Sequence, residues 1–125
     1  MGSEKNFEDR VKRFLKNEGC YFIKYWGGGE FTKAGVPDIL ACIEGHFAGL
    51  ELKAPNGKPS DLQLINLKKI DDAGGIALLL YPEDFNQFKE MVKIMQEKGF
   101  TDAEKTYMQL KERWVVRLAS ITQQG

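Results

Sequence analysis

Two short runs hold the side chains with the most chemistry to offer: Pro37-Asp38 at the start of one apolar stretch, and Glu51-Leu52-Lys53 inside the next. Residues two apart on a strand share a face, so Glu51 and Lys53 project to one side while Leu50 and Leu52 project to the other. If a hairpin with an even loop joins the two stretches, Asp38 lies opposite Glu51 or Lys53 on that same face. Two carboxylates in a partly buried place repel each other and call for a cation, and oxygen-only ligands favour Mg²⁺ or Mn²⁺. Such an ion neutralises charge on a phosphodiester and acidifies a bound water, and Lys53 can orient that water or stabilise the pentavalent state. The spacing therefore points to metal-dependent phosphodiester hydrolysis. Plainer readings exist for each residue alone: Asp38 as a solvated turn carboxylate after proline, and Glu51 with Lys53 as the wet face of a half-exposed strand.

The elements that must position these residues read as follows. Phe7, Val11, Phe14 and Leu15 recur at helical spacing among charged residues and Gly19 follows, giving a first helix from about Glu4 to Glu18. Cys20 to Tyr25 reads as a strand, and a flexible polar loop runs from Gly27 to Gly35. Val36 to Ile43 and Phe47 to Ala54 read as antiparallel strands joined by a Glu44-Gly45-His46 turn. Ser60-Asp61-Leu62-Gln63 matches a capping box, and a helix continues to Gly74-Gly75. Ile76 to Tyr81 is an apolar run suited to a strand covered on both faces. A third helix runs from Pro82 to Gly99, and Thr101-Asp102-Ala103-Glu104 reads as a second capping box opening a last helix with Tyr107, Leu110, Trp114 and Leu118 on one side.

The chain of 125 residues fits one domain, with a core over 4–82 and C-terminal helices over 83–119. Eighteen Lys+Arg balance eighteen Asp+Glu, so net charge neither supports nor excludes a nucleic-acid ligand. Cys20 and Cys42 lie in apolar runs without metal-ligand spacing and read as buried free thiols of a reducing compartment. The longest apolar stretch is far short of a membrane span, and 1–18 is charged throughout, unlike a secretory signal. A soluble, cytoplasmic protein without a membrane partner is expected.

Gly35-Val36-Pro37-Asp38, Glu51-Leu52-Lys53 and Gly57-Lys58-Pro59-Ser60-Asp61-Leu62-Gln63 together resemble the PD-(D/E)xK nuclease superfamily, and within it the VRR-NUC family of virus-type replication and repair nucleases. The resemblance covers roughly Glu8 to Pro82. It implies an α/β fold with a restriction-endonuclease-like core, a small mixed sheet flanked by helices in the order helix, three strands, helix, strand, then C-terminal helices. It further implies that Asp38, Glu51 and the Leu52 backbone carbonyl bind Mg²⁺ or Mn²⁺, that Lys53 serves the nucleophile, and that Gln63 stands near the metal. Glu8 matches the first-helix acid that completes such sites, with Glu4, Asp9 or no residue as alternatives. Lys24 falls where similar proteins place a basic residue facing substrate, and Lys33 and Lys58 join it as candidate DNA contacts. Compact members of this kind, of phage or bacterial origin, are homodimers that cut four-way (Holliday) junctions. Flap or other branched-DNA cleavage is the alternative within the class; a non-catalytic nucleic-acid or partner-binding module with a degraded site is the alternative outside it.

Several residues have a second reading. Gln63 is equally a capping-box residue that returns to the Ser60 N–H. His46, the only histidine, reads as a surface turn residue without ligand partners, which disfavours histidine-metal or triad chemistry. Gly27-Gly28-Gly29 is not followed by Gly-Lys-Ser/Thr, so a nucleoside triphosphate site is not expected. The stripes Phe85/Phe88 and Tyr107/Trp114 fit core packing or a subunit interface.

Overall fold

Helix α1, Ser3–Asn17, forms because Phe7, Val11 and Leu15 recur at helical spacing, and all three are fully buried. Gly19, at φ 78°, lets the chain turn back into the first strand. Strands β1 (Tyr21–Lys24), β2 (Ile39–Ile43) and β3 (His46–Leu52) pair antiparallel, and β4 (Ile76–Leu80) pairs parallel to β3, giving a sheet of order β1-β2-β3-β4. The parallel crossover carries α2 (Asp61–Asp72); after β4, a 3₁₀ turn at Pro82–Asp84 leads into α3 (Phe85–Lys98) and α4 (Phe100–Thr122). These elements come from a computed structural model that describes residues 3–30 and 32–122; Phe31, within the Gly27 to Gly35 loop, lies outside them.

Alternation along the strands divides the core in two. Ile39, Ala41, Ile43, Ala48, Leu50, Leu52, Ile76, Leu78 and Leu80 face α1, α3 and the first half of α4. Ala77, Leu79 and Tyr81 face the other way and pack with Leu64 and Leu67 of α2 and Trp114 of α4. α2 covers only the β3–β4 half of that second face. Tyr21, Ile23 and Phe47 on the uncovered half remain exposed, and so does Cys42. The expectation of two buried thiols is corrected accordingly: Cys20 is half-buried, and Cys42 stands on the face that no helix covers.

Two further expectations change, and the core reading of the aromatic stripes holds. The β2–β3 connection is a two-residue turn, Glu44-Gly45, with positive φ at both residues (48° and 82°), the twist that suits a tight hairpin. His46 therefore opens β3 opposite Ile43 and stacks on Phe100, ring centroids 5.0 Å apart. The last helix starts at Phe100, directly after Gly99 at φ 95°, so Thr101 lies inside the helix and cannot cap it. Finally, Phe88 and Trp114 are fully buried, and Phe85 and Tyr107 nearly so, within one chain; the aromatic stripes are core.

Two of those aromatics also close the sheet. Tyr107 Oη accepts from the Ala77 N–H at 3.0 Å, and Trp114 Nε1 donates to the Ala77 carbonyl at 2.7 Å, so α4 satisfies the backbone of edge strand β4 near its start. Asp71 anchors the arrangement by accepting from Tyr107 Oη at 2.8 Å and pairing with Lys111 at 2.9 Å.

Candidate active site

The two-residue turn fixes the register on which the site depends. Ile39 pairs with Leu50, so one step further Asp38 stands opposite Glu51, and both project toward the α2 side. Pro37 holds this corner. It packs against Gly49, where an added Cβ would come 3.0 Å from Pro37 Cγ and 2.6 Å from Ile70 Cδ1. Glycine at 49 thus lets the Pro37 ring and α2 close over the sheet next to the two acids.

Asp38 Oδ2 accepts from the Leu52 N–H at 2.9 Å. The N–H and C=O of one strand residue point to the same edge, so the Leu52 carbonyl opens beside Asp38, while Lys53 N turns the other way and donates to Leu80 O at 3.0 Å.

Glu51 is only 1% exposed, which overturns the wet-face reading of its strand. One oxygen, Oε2, lies 3.2 Å from Lys53 Nζ, and the other, Oε1, is buried with no hydrogen-bond partner. Burial first, and the neighbouring Asp38 second, push the Glu51 carboxyl up to about 8, with Lys53 opposing the shift. Without a cation this acid is held protonated at neutral pH, an arrangement that a packed structural core has no use for.

On the α1 side, Lys24 bridges the elements. Its ammonium donates to Glu8 Oε1 at 2.8 Å and lies 3.7 Å from Asp38 Oδ1, while Lys12 pairs with Glu8 Oε2 at 3.2 Å. Burial alone would raise Glu8, but the hydrogen bonds from Lys24 and Lys12 outweigh it and hold the carboxyl lowered. Burial would likewise lower Lys24, and its bond to Glu8 with the attraction of Asp38 raises it instead. Among the described residues no three acid, histidine or cysteine side chains converge on one metal position. What the structure brings together is Asp38 with Glu51 and the Leu52 N–H, and Glu8 with Asp38 through Lys24. Of the other first-helix acids, Glu4 is exposed and Asp9 is half-buried, and Asp9 pairs with Lys5 at 3.5 Å.

For the remaining candidates the structure gives local contacts only. Gln63 Oε1 accepts from the Ser60 N–H at 2.9 Å and Gln63 N donates to Ser60 Oγ at 3.1 Å, a complete capping box. Lys33 is exposed, its backbone N–H donating to Tyr25 Oη at 2.8 Å. Lys58 is exposed and lines a cleft of about 220 Å³ with Pro59, Asp61 and Arg117. The sequence reading passed over Trp26, whose ring sits beside Lys24; a tryptophan between a strand lysine and a triple glycine is the signal that marks it.

Neither a family model nor a curated protein sequence matches the chain. A solved structure described as a VRR_NUC domain superposes with a TM-score of 0.53 at 21% identity, covering 76% of this chain and 95% of that one. At that identity the likeness shows the fold. The mixed four-strand sheet flanked by helices is restriction-endonuclease-like, as the Asp38 and Glu51-Leu52-Lys53 motifs led us to expect. No helix among the described residues is long and apolar enough to cross a membrane.

Proposed function

We propose that this protein is a metal-dependent endonuclease that hydrolyses phosphodiester bonds in branched DNA, with four-way junctions as its preferred substrate. The observation that carries the reading is Glu51: a buried carboxyl with one unpartnered oxygen, beside Asp38 and next to a lysine on the same strand face. The likeness to a VRR_NUC domain supports the nuclease class. Asp38, Glu51 Oε1 and the Leu52 carbonyl would hold Mg²⁺ or Mn²⁺, both hard enough for an all-oxygen set. Such an ion would balance the two carboxylates, neutralise phosphate charge and lower the pKa of a bound water.

The chain's own groups do the rest. Lys53 Nζ, mostly shielded from solvent and 3.2 Å from Glu51 Oε2, holds a positive charge at the rim of the site, where it hydrogen-bonds the nucleophile or the phosphate oxygen that gains charge. Lys24 holds Glu8 and faces Asp38, keeping a second cation on the substrate side. Lys33 and Lys58 supply further phosphate contacts, and Gln63 caps the start of α2. A two-fold dimer would set two such sites at a fixed separation, suited to paired cuts across a symmetric junction.

Labelled four-way junctions, flaps, blunt duplex and single strands incubated with Mg²⁺, Mn²⁺ or EDTA test this reading. We expect metal-dependent cutting with junctions cleaved fastest. Equal rates on plain duplex refute the junction preference, and no cutting of any substrate in Mn²⁺ refutes the enzyme and favours a binding module on the same fold.

A further inference from the structure

Trp26 follows β1 and keeps 74% of its surface in solvent. Single exposed apolar side chains are ordinary on a protein surface. What distinguishes this one is its neighbour: Lys24 Nζ lies 5.4 Å from the centre of the indole ring, and the same ammonium contacts Glu8 at 2.8 Å and Asp38 at 3.7 Å. One lysine therefore spans the distance from the ring to the acidic cluster. Tyr25, which precedes the ring, is held through both its backbone and its side chain. Tyr25 N–H donates to the Asp38 carbonyl at 2.8 Å, and Tyr25 Oη accepts from the Lys33 N–H at 2.8 Å.

A cation against an indole ring occupies one face and leaves the other free. Nucleobases stack on such a face regardless of sequence, but a base inside a duplex has both faces covered by its neighbours. Resting on the nuclease reading of Asp38 and Glu51, we infer that Trp26 is a stacking platform for a base unstacked next to the scissile phosphate, so that the substrate is DNA that exposes a base face at the cut. Lys24 sets the distance between that base and Asp38. Trp26 is thus a substrate-positioning residue, and specificity for branched DNA comes from the unstacked base that a branch point offers.

The chain has two tryptophans, and Trp114 is 1% exposed, so quenching on DNA binding reports Trp26 while the emission of Trp114 reports the fold. In EDTA at low salt, a single-stranded oligothymidylate should quench the fluorescence and a blunt duplex should not. By anisotropy of a labelled oligothymidylate, since the variants lack the reporter ring, Trp26→Ala should weaken single-strand binding roughly tenfold, the loss of one stacked base, while Trp26→Phe keeps most of it and Trp114 emission stays unchanged. Single-strand binding unaltered in Trp26→Ala, quenching by duplex equal to that by single strand, or no quenching by either overturns the inference. The binding readout needs no cleavage. If single-strand binding depends on Trp26 in a protein that never cuts DNA, the platform stands and the nuclease reading falls; junction cutting indifferent to Trp26→Ala overturns the platform and leaves the nuclease.

Discussion

Replacing Glu51 by glutamine should make the metal-free protein more stable, and by an amount that follows from burial. A glutamate in water ionises near 4.5, whereas burial and Asp38 push Glu51 up to about 8 in the folded chain. Below the unfolded value both states hold the proton and nothing is lost. As pH rises past it the unfolded chain releases the proton and the folded chain does not, so stability declines until the folded group also ionises near 8. At about 1.4 kcal/mol per pH unit, that difference comes to roughly 3 kcal/mol near neutral pH and about 5 kcal/mol well above the folded value. Glu51→Gln keeps the shape, removes the ionisation and offers an amide N–H to Asp38. Urea unfolding in EDTA, repeated from acidic to alkaline pH, should show the variant gaining on the parent as pH rises and matching it near pH 4. Mn²⁺ at about a thousandfold excess over Kd, a stabilisation of about 4 kcal/mol for the parent alone, should reverse the order near neutral pH. A variant that is equally or less stable in EDTA at alkaline pH, or a difference independent of pH, would refute the claim that Glu51 is a desolvated acid lacking a cation.

Other substitutions test neighbouring parts of the account. Gly49→Ala, whose Cβ would meet Ile70 Cδ1 at 2.6 Å and Pro37 Cγ at 3.0 Å, should cost about 1–3 kcal/mol by denaturant unfolding; a neutral effect would mean that this corner is not tightly packed. Tyr107→Phe removes the acceptor for the buried Ala77 N–H and the donor to Asp71, and thermal melting should show a loss of about 1–3 kcal/mol. Lys53→Ala should cut turnover by about 10²- to 10⁴-fold while calorimetric Mn²⁺ binding persists, since the lysine is not a ligand; lost Mn²⁺ binding would contradict its role.

Alternation made the candidate face legible, because a strand fixes that Glu51 and Lys53 share a side. The turn was harder. Glu44-Gly45-His46 reads equally as a three-residue connection, and the choice of a two-residue turn depends on Glu44 accepting φ 48°, a conformation that glutamate seldom adopts. That choice moves His46 into β3 and, with it, sets Asp38 against Glu51. The burial of Glu51 was not legible either, since Ala-Gly-Leu-Glu-Leu-Lys reads as a half-wet strand until α2 is known to close over Gly49. Long-range contacts account for the rest. Lys24 meeting Glu8 across 16 residues, and α4 capping Ala77 through Tyr107 and Trp114 across 30 and 37, follow from how helices dock on the sheet, which local spacing does not carry.

The account rests on Asp38 and Glu51 acting together as a metal-dependent cutting site. Cleavage of a labelled four-way junction in Mn²⁺ by the parent, Asp38→Ala and Glu51→Ala, each checked for a native fold by circular dichroism, tests that directly. Cutting by the parent that EDTA stops and that both variants lose while still binding the junction is the predicted result. Cutting that survives in either folded variant would contradict it.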